Sequence, residues 1–163
     1  MKVMGIDPGF GRCGVAILED GKTQNSNGKT DILLYSTCIE TDKALSFPRR
    51  LGDLVVELQA LVIKWQPERA AIEKLFFSKN VKTAMQVAET RGMIIALAQN
   101  MGLVVEEYSP QAIKVALTGV GTADKTQVAR MVERLVAMNK TPKHDDEYDA
   151  IAIAITDIHS LHI

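Results

Sequence analysis

Four acidic residues, far apart along the chain, have the type and setting for metal-assisted hydrolysis: Asp7, Glu73, Asp146 and Asp149. Asp7 and Glu73 each close a short apolar run, Val3-Met4-Gly5-Ile6 and Ala70-Ala71-Ile72. A carboxylate in that place is costly to desolvate unless something pairs with it. Asp146 and Asp149 stand three residues apart, which puts them on one face of a helix. Carboxylates brought together repel one another, and that favours a divalent cation among them. All-oxygen ligation selects hard ions, Mg²⁺ or Mn²⁺. The reaction such a set suits is phosphodiester hydrolysis, with two ions about 3.5–4 Å apart activating a water and stabilising the leaving oxygen. In that scheme Asp7 bridges the ions, Glu73 and Asp149 hold one each, and Asp146 completes the site. Taken singly, each acid also fits a cap or turn, and Asp146 fits the cap of a final helix.

The turn that follows the first acid, Asp7-Pro8-Gly9-Phe10-Gly11-Arg12-Cys13-Gly14, allows close backbone approach to a phosphate. It also fits a tight hairpin. A similar Asp-x-Gly turn opens the phosphate loop of actin-like ATPases. That architecture needs two such domains and a second phosphate loop, for which 163 residues are too few.

The elements that must position these residues are legible in part. Apolar runs predict strands over 2–7, 14–19 and 32–39, with a turn-rich loop of Gly, Asn, Ser and Lys from Asp20 onward. Leu51, Leu54, Val55, Leu58, Leu61, Val62 and Trp65 recur at steps of three and four and predict a helix over 48–66, capped by Ser46 and stopped by Pro67. A strand over 70–73, a helix over 80–101 and a strand over 104–108 follow. Ser109-Pro110 opens a short helix ending at Gly119, and Thr122 caps another running to about Met138. The last helix is predicted from Asp145 and Asp146 to about His159. Its run Ile151-Ala152-Ile153-Ala154-Ile155 alternates like a strand, but the preceding acids and the alanines favour helix. The order implies an α/β fold with a five-stranded mixed sheet, three strands antiparallel and two parallel, flanked by helices.

Length and composition bound the rest. The chain has 163 residues, 47% of them hydrophobic, which is one globular domain over 1–163. No stretch of eighteen apolar residues could span a membrane, and a charge arrives too early for a signal peptide, so a cytoplasmic protein is expected. Cys13 and Cys38 lack metal spacing and read as reduced thiols. Net charge is only −1, but it is unevenly placed. Residues 74–143 carry ten Lys and Arg against five Asp and Glu, whereas the last twenty carry five acids and no Lys or Arg. A basic middle beside an acidic end suits a phosphate-binding surface around a carboxylate site, and it also suits ordinary solvated helix faces.

Taken together, the motifs resemble the RuvC-like Holliday-junction resolvases over nearly the whole chain. Gly5-Ile6-Asp7-Pro8-Gly9 is similar to the opening motif of that family, and Ala71-Ile72-Glu73-Lys74-Leu75-Phe76 to the strand bearing its second acid. Ala88-Glu89-Thr90-Arg91-Gly92 resembles its A-R-G helix. Gly119-x-Gly121-x-Ala123-x-Lys125 resembles its G-x-G-x-A-x-K turn, and Asp146-x-x-Asp149-Ala150 its closing D-x-x-D-A. The resemblance implies an RNase H-like fold, a homodimer, dependence on Mg²⁺ and nicking of four-way DNA junctions. It carries catalytic roles to Asp7, Glu73, Asp146, Asp149 and Lys125, and DNA contacts to Phe76, Arg91, Lys114 and Lys125. An aromatic at Phe76 could stack on an unpaired base, or serve the core or a dimer interface. Lys125, at a helix start after a Gly-x-Gly turn, could neutralise the scissile phosphate. Branch-migration proteins are further partners of this reading.

The chain also departs from the pattern. His144 and Asp145 adjoin Asp146, and in some relatives a histidine stands where Asp146 does, so the third acid is open among them. The loop over 20–31 is longer than usual, and a basic tail found in longer relatives is missing. A non-catalytic junction-binding protein with an inherited acidic cleft is the alternative reading, against which the presence of all four acids counts.

Overall fold

A computed structural model describes residues 1–21, 31–74 and 81–162. The elements run β1 (Lys2–Asp7), β2 (Arg12–Glu19), β3 (Asp31–Glu40), α1 (Phe47–Trp65), β4 (Arg69–Glu73), α2 (Val81–Asn100), β5 (Val104–Tyr108), α3 (Pro110–Thr118), α4 (Lys125–Leu135), β6 (Val136–Ala137) and α5 (Asp145–Ser160). The sheet order is β5-β4-β1-β2-β3-β6. β1, β2 and β3 form an antiparallel meander, and β4 and β5 extend it in parallel from β1. The sheet therefore has one strand more than expected. β6 pairs in parallel with the start of β3 and ends α4 at Leu135, where the sequence predicted helix to about Met138. Two residues are too few to leave an alternation in the sequence.

Helices cover both faces, and the side-chain parity of the strands divides the core between them. Val3, Ala16, Leu18 and Ala71 pack with α3, α4 and α5. Met4, Ile6, Val15, Ile17, Ala70 and Ile72 pack with α1 and α2. Because both sides of β1 are covered, its residues read as a continuous apolar run.

Local signals set the helix ends. Ser109 Oγ accepts from the Ala112 amide at 3.1 Å, and Gly119 closes α3 at φ 74°. α4 is capped by Asp124 rather than the expected Thr122: Asp124 accepts from the Gln127 amide at 2.8 Å while the Gln127 side chain returns to the Asp124 amide at 2.9 Å. Ser46 occupies the cap of α1 without a side-chain hydrogen bond, and Pro48 in the first turn supplies the helical start.

α5 lies at the centre of the molecule. Every residue from Ala150 to Ile158 is buried. The helix reaches the sheet through two glycines. A Cβ on Gly5 would strike the Ala150 carbonyl, and one on Gly14 would strike the carbonyl of Asp146. At the other end, buried Asp157 takes a two-pronged ion pair from Arg69, with Nε at 2.6 Å and Nη2 at 2.9 Å, and a bond from the Tyr108 hydroxyl at 2.8 Å. Among the described residues no helix is long and apolar enough to cross a membrane.

Candidate active site

The sheet's period of two decides where the first acids point. Asp7 follows Val3 and Gly5 to the α5 side of β1, and Glu73 follows Ala71 to the same side of β4. The two strands run parallel, with Ile6 opposite Ile72 one residue earlier, so both acids lie at neighbouring strand ends. α5 descends onto Gly14 and Gly5 with its first turns over this edge, and brings Asp146 and Asp149 with it. Asp7, Glu73, Asp146 and Asp149 line one cavity of about 410 Å³, together with Lys114 from α3 and Lys125 from the start of α4.

The cavity is electrostatically loaded. The Asp7 carboxyl is pushed up to about 7, first by burial and then by repulsion from Glu73, Asp149 and Asp146, with Lys125 opposing. Glu73 is also raised, by burial and by Asp149, against the pull of Lys125 and Lys114. Lys125 Nζ bonds Asp149 Oδ2 at 3.1 Å. Arg12 Nη2 stands 2.6 Å from Asp146 Oδ2, and Cys38 Sγ donates to the same oxygen at 3.6 Å. Sequence alone gives neither Arg12 nor Cys38 a place beside the acids, because their contacts with Asp146 bridge more than a hundred residues and follow no local spacing.

The first turn of α5 is held by more than its acids. After exposed Lys143, His144 and Asp145 comes buried Glu147, which accepts from Ser36 Oγ at 2.5 Å and from the amides of Lys143 and His144 at 3.0 and 3.3 Å. The cap position belongs to His144, so Asp146 lies inside the helix and is free of capping. Of the two neighbours that left the third acid open, Asp145 is exposed and lines an adjacent depression with Tyr148, while His144 Nδ1 lies 3.1 Å from Arg12. Only Asp146 of the three faces the cavity with Asp7.

Arg91 takes a place the motif did not suggest. Its guanidinium pairs with Glu107 and donates from Nε to the Glu73 carbonyl at 3.2 Å, tying α2 to the ends of β4 and β5. Phe76, with its candidate stacking role, and the loop from residue 22 to 30 lie outside the described residues.

The donor set can be tested against the expected cation. All four candidate ligands are carboxylates, which suits a hard ion, and two of them already carry a cationic partner. Among the described residues no three His, Cys, Asp or Glu side chains converge on one point as a closed cage would. Carboxylates spread along a cavity wall fit an ion of the Mg²⁺ type, which keeps several waters and shares its shell with substrate phosphate.

A mixed sheet with its first three strands in a meander, and an acid-bearing helix crossing β1, defines the RNase H-like class. Within that class the comparison is specific. The family model described as "Crossover junction endodeoxyribonuclease RuvC" matches residues 3–157. A crossover junction endodeoxyribonuclease RuvC of Syntrophomonas wolfei is 37% identical over 163 residues, which is all of this chain and 91% of that protein. The solved Thermus thermophilus RuvC structure superposes with a TM-score of 0.87 at 28% identity, covering 99% of this chain and 96% of its own. T. thermophilus RuvC in complex with Holliday junction substrate gives 0.86 at 28% identity, covering 98% and 94%. The chain belongs to the RuvC family.

Proposed function

We infer that this chain is a divalent-metal-dependent endonuclease that resolves four-way DNA junctions. One observation carries the reading: four carboxylates from β1, β4 and α5 share a cavity with two lysines. Asp7, Glu73, Asp146 and Asp149 are the candidate ligands. Bound there, two ions of Mg²⁺ or Mn²⁺ would supply Lewis-acid activation of a water and charge stabilisation at the leaving oxygen.

The protein's own part is placement. Asp7 and Glu73 end neighbouring parallel strands, so the sheet fixes where both side chains start and turns them to the same face. Asp149 is held by Lys125, which a phosphate entering the cavity can engage in turn. Lys114, which lines the same cavity from α3, draws the DNA backbone in by charge. Cleavage of the P–O3′ bond leaves a 5′-phosphate and a 3′-hydroxyl. Two strands of like polarity must be cut in a near-symmetric junction, and a two-fold homodimer presents two equal sites to them. Action in the cytoplasm, and cooperation with branch-migration proteins, complete the reading.

The test is a nuclease assay on synthetic four-way, flapped and linear DNA, with and without divalent ion. Symmetric paired nicks in the four-way substrate alone, only with divalent ion, are expected. An Asp7→Asn protein that still resolved the junction in Mg²⁺ would overturn the mechanism. Tight junction binding with no cleavage in Mg²⁺ or Mn²⁺ would favour a non-catalytic junction binder.

A further inference from the structure

Asp146 differs from the other three acids in what stands behind it. Gly14 lets the Asp146 backbone rest directly on β2, so the side chain lies between the start of β2 and the end of β3. There two donors meet it from adjacent strands. Arg12, the first residue of β2, places Nη2 at 2.6 Å from Asp146 Oδ2. Cys38, opposite Gly14 in the sheet register, donates from Sγ to that same oxygen at 3.6 Å. Arg12 is itself braced: Nη2 lies 3.1 Å from His144 Nδ1, and Nε lies 3.8 Å from Glu40, its register partner on β3.

We propose that Arg12 is a positioning residue for the metal centre: it fixes the rotation of the Asp146 carboxylate by holding Oδ2 from outside, and so presents Oδ1 to the cation. The proposal rests on the reading of Asp146 as a metal ligand. A charge-assisted bond from a guanidinium is directional as well as strong. Ligating carboxylates depend on such outer partners, whose loss typically costs 10–100-fold in metal affinity. Two other roles for Arg12 predict different signs. A cation competing for Asp146 would weaken metal binding, and its removal would tighten it. A contact to DNA phosphate would leave metal binding unchanged and weaken junction affinity.

The experiment is calorimetric titration of the DNA-free full chain with Mn²⁺, beside junction binding in EDTA. Arg12→Met is expected to weaken Mn²⁺ binding by on the order of ten-fold or more, and Arg12→Lys to recover part of it. On an Asp146→Asn background, Arg12→Met should add nothing, which a general loss of packing would not reproduce. Junction binding in EDTA should stay within about two-fold of the parent, as a residue acting through Asp146 requires. Should Arg12→Met fold poorly by circular dichroism, Arg12→Gln, which keeps an N–H donor without the charge, carries the same comparison. Unchanged or tighter Mn²⁺ binding in the Arg12 variants overturns the proposal, as does lost junction affinity with Mn²⁺ binding intact. If Asp7→Asn also binds Mn²⁺ as well as the parent, the metal-centre reading itself has failed, separately from the part given to Arg12.

Discussion

Asp7 is a carboxyl in conflict with its surroundings. Its carboxyl moves from 3.8 to about 7 because burial and three neighbouring acids all disfavour its charge. A carboxyl raised on folding contributes its full stability below the unfolded value and loses it as pH rises through the folded one. In metal-free protein that window runs from about 4 to about 7. Asp7→Asn removes the loss, so at pH 8 in EDTA the variant should be more stable than the parent by roughly 1–3 kcal/mol. At pH 4 the two should unfold at nearly the same denaturant concentration. Saturating Mg²⁺ should narrow or reverse the order at pH 8, because an ion bound only by the folded parent stabilises it by mass action. Equal midpoints at pH 8 in EDTA would mean that Asp7 is not under the strain described. The chemistry of these acids was legible in the sequence because each closes an apolar run or opens a helix. The grip on Asp146 was not: Arg12 and Cys38 come from strands that meet α5 only after folding.

Among the elements, α5 decides whether there is a site at all. Its approach to the sheet depends on Gly5 and Gly14, where a methyl group would meet backbone carbonyl oxygens that cannot turn away. Gly14→Ala is expected to cost roughly 1–3 kcal/mol of stability by overpacking. The same displacement, at about 1 Å, should lower cleavage by on the order of 100-fold. Measuring cleavage well below the unfolding midpoint separates the two effects, and full activity in folded Gly14→Ala would deny the glycine its part in seating the helix. This element was also the hardest to read. With Ala150 through Ile158 all buried, no polar face remains to mark a period of 3.6, and the isoleucines alternate as in a strand. Acids before the run and alanines within it gave the right element. The cap of α4 was missed because Thr122 and Asp124 are both good caps, and only Asp124 is answered by Gln127 three residues on. β6 was missed because it is two residues long.

For the whole molecule, charge is arranged against the acids. The middle of the chain carries the excess of Lys and Arg, and the fold turns Lys114 and Lys125 from that stretch toward the carboxylate cavity. Binding to a junction should therefore weaken with salt, in proportion to the phosphates neutralised. Lys114→Met should lower affinity about equally for junctions of different sequence and reduce the salt slope by roughly one, as read from binding isotherms over a salt series. An unchanged slope would place Lys114 off the DNA path. Arg91 behaves otherwise. It is spent on Glu107 and the Glu73 carbonyl, so Arg91→Met should leave the slope alone and act through the seating of β4.

α5 also joins two functions that many enzymes keep apart. The helix that supplies half the acids from its first turns is the one buried from Ala150 to Ile158 and clasped at its far end by Arg69 and Tyr108. The buried middle of such a rod has no room to swing within the folded core, so losing its seat on the sheet and losing the core are one event. Warming this protein should thus give one transition, with catalytic failure and melting superimposed rather than staggered.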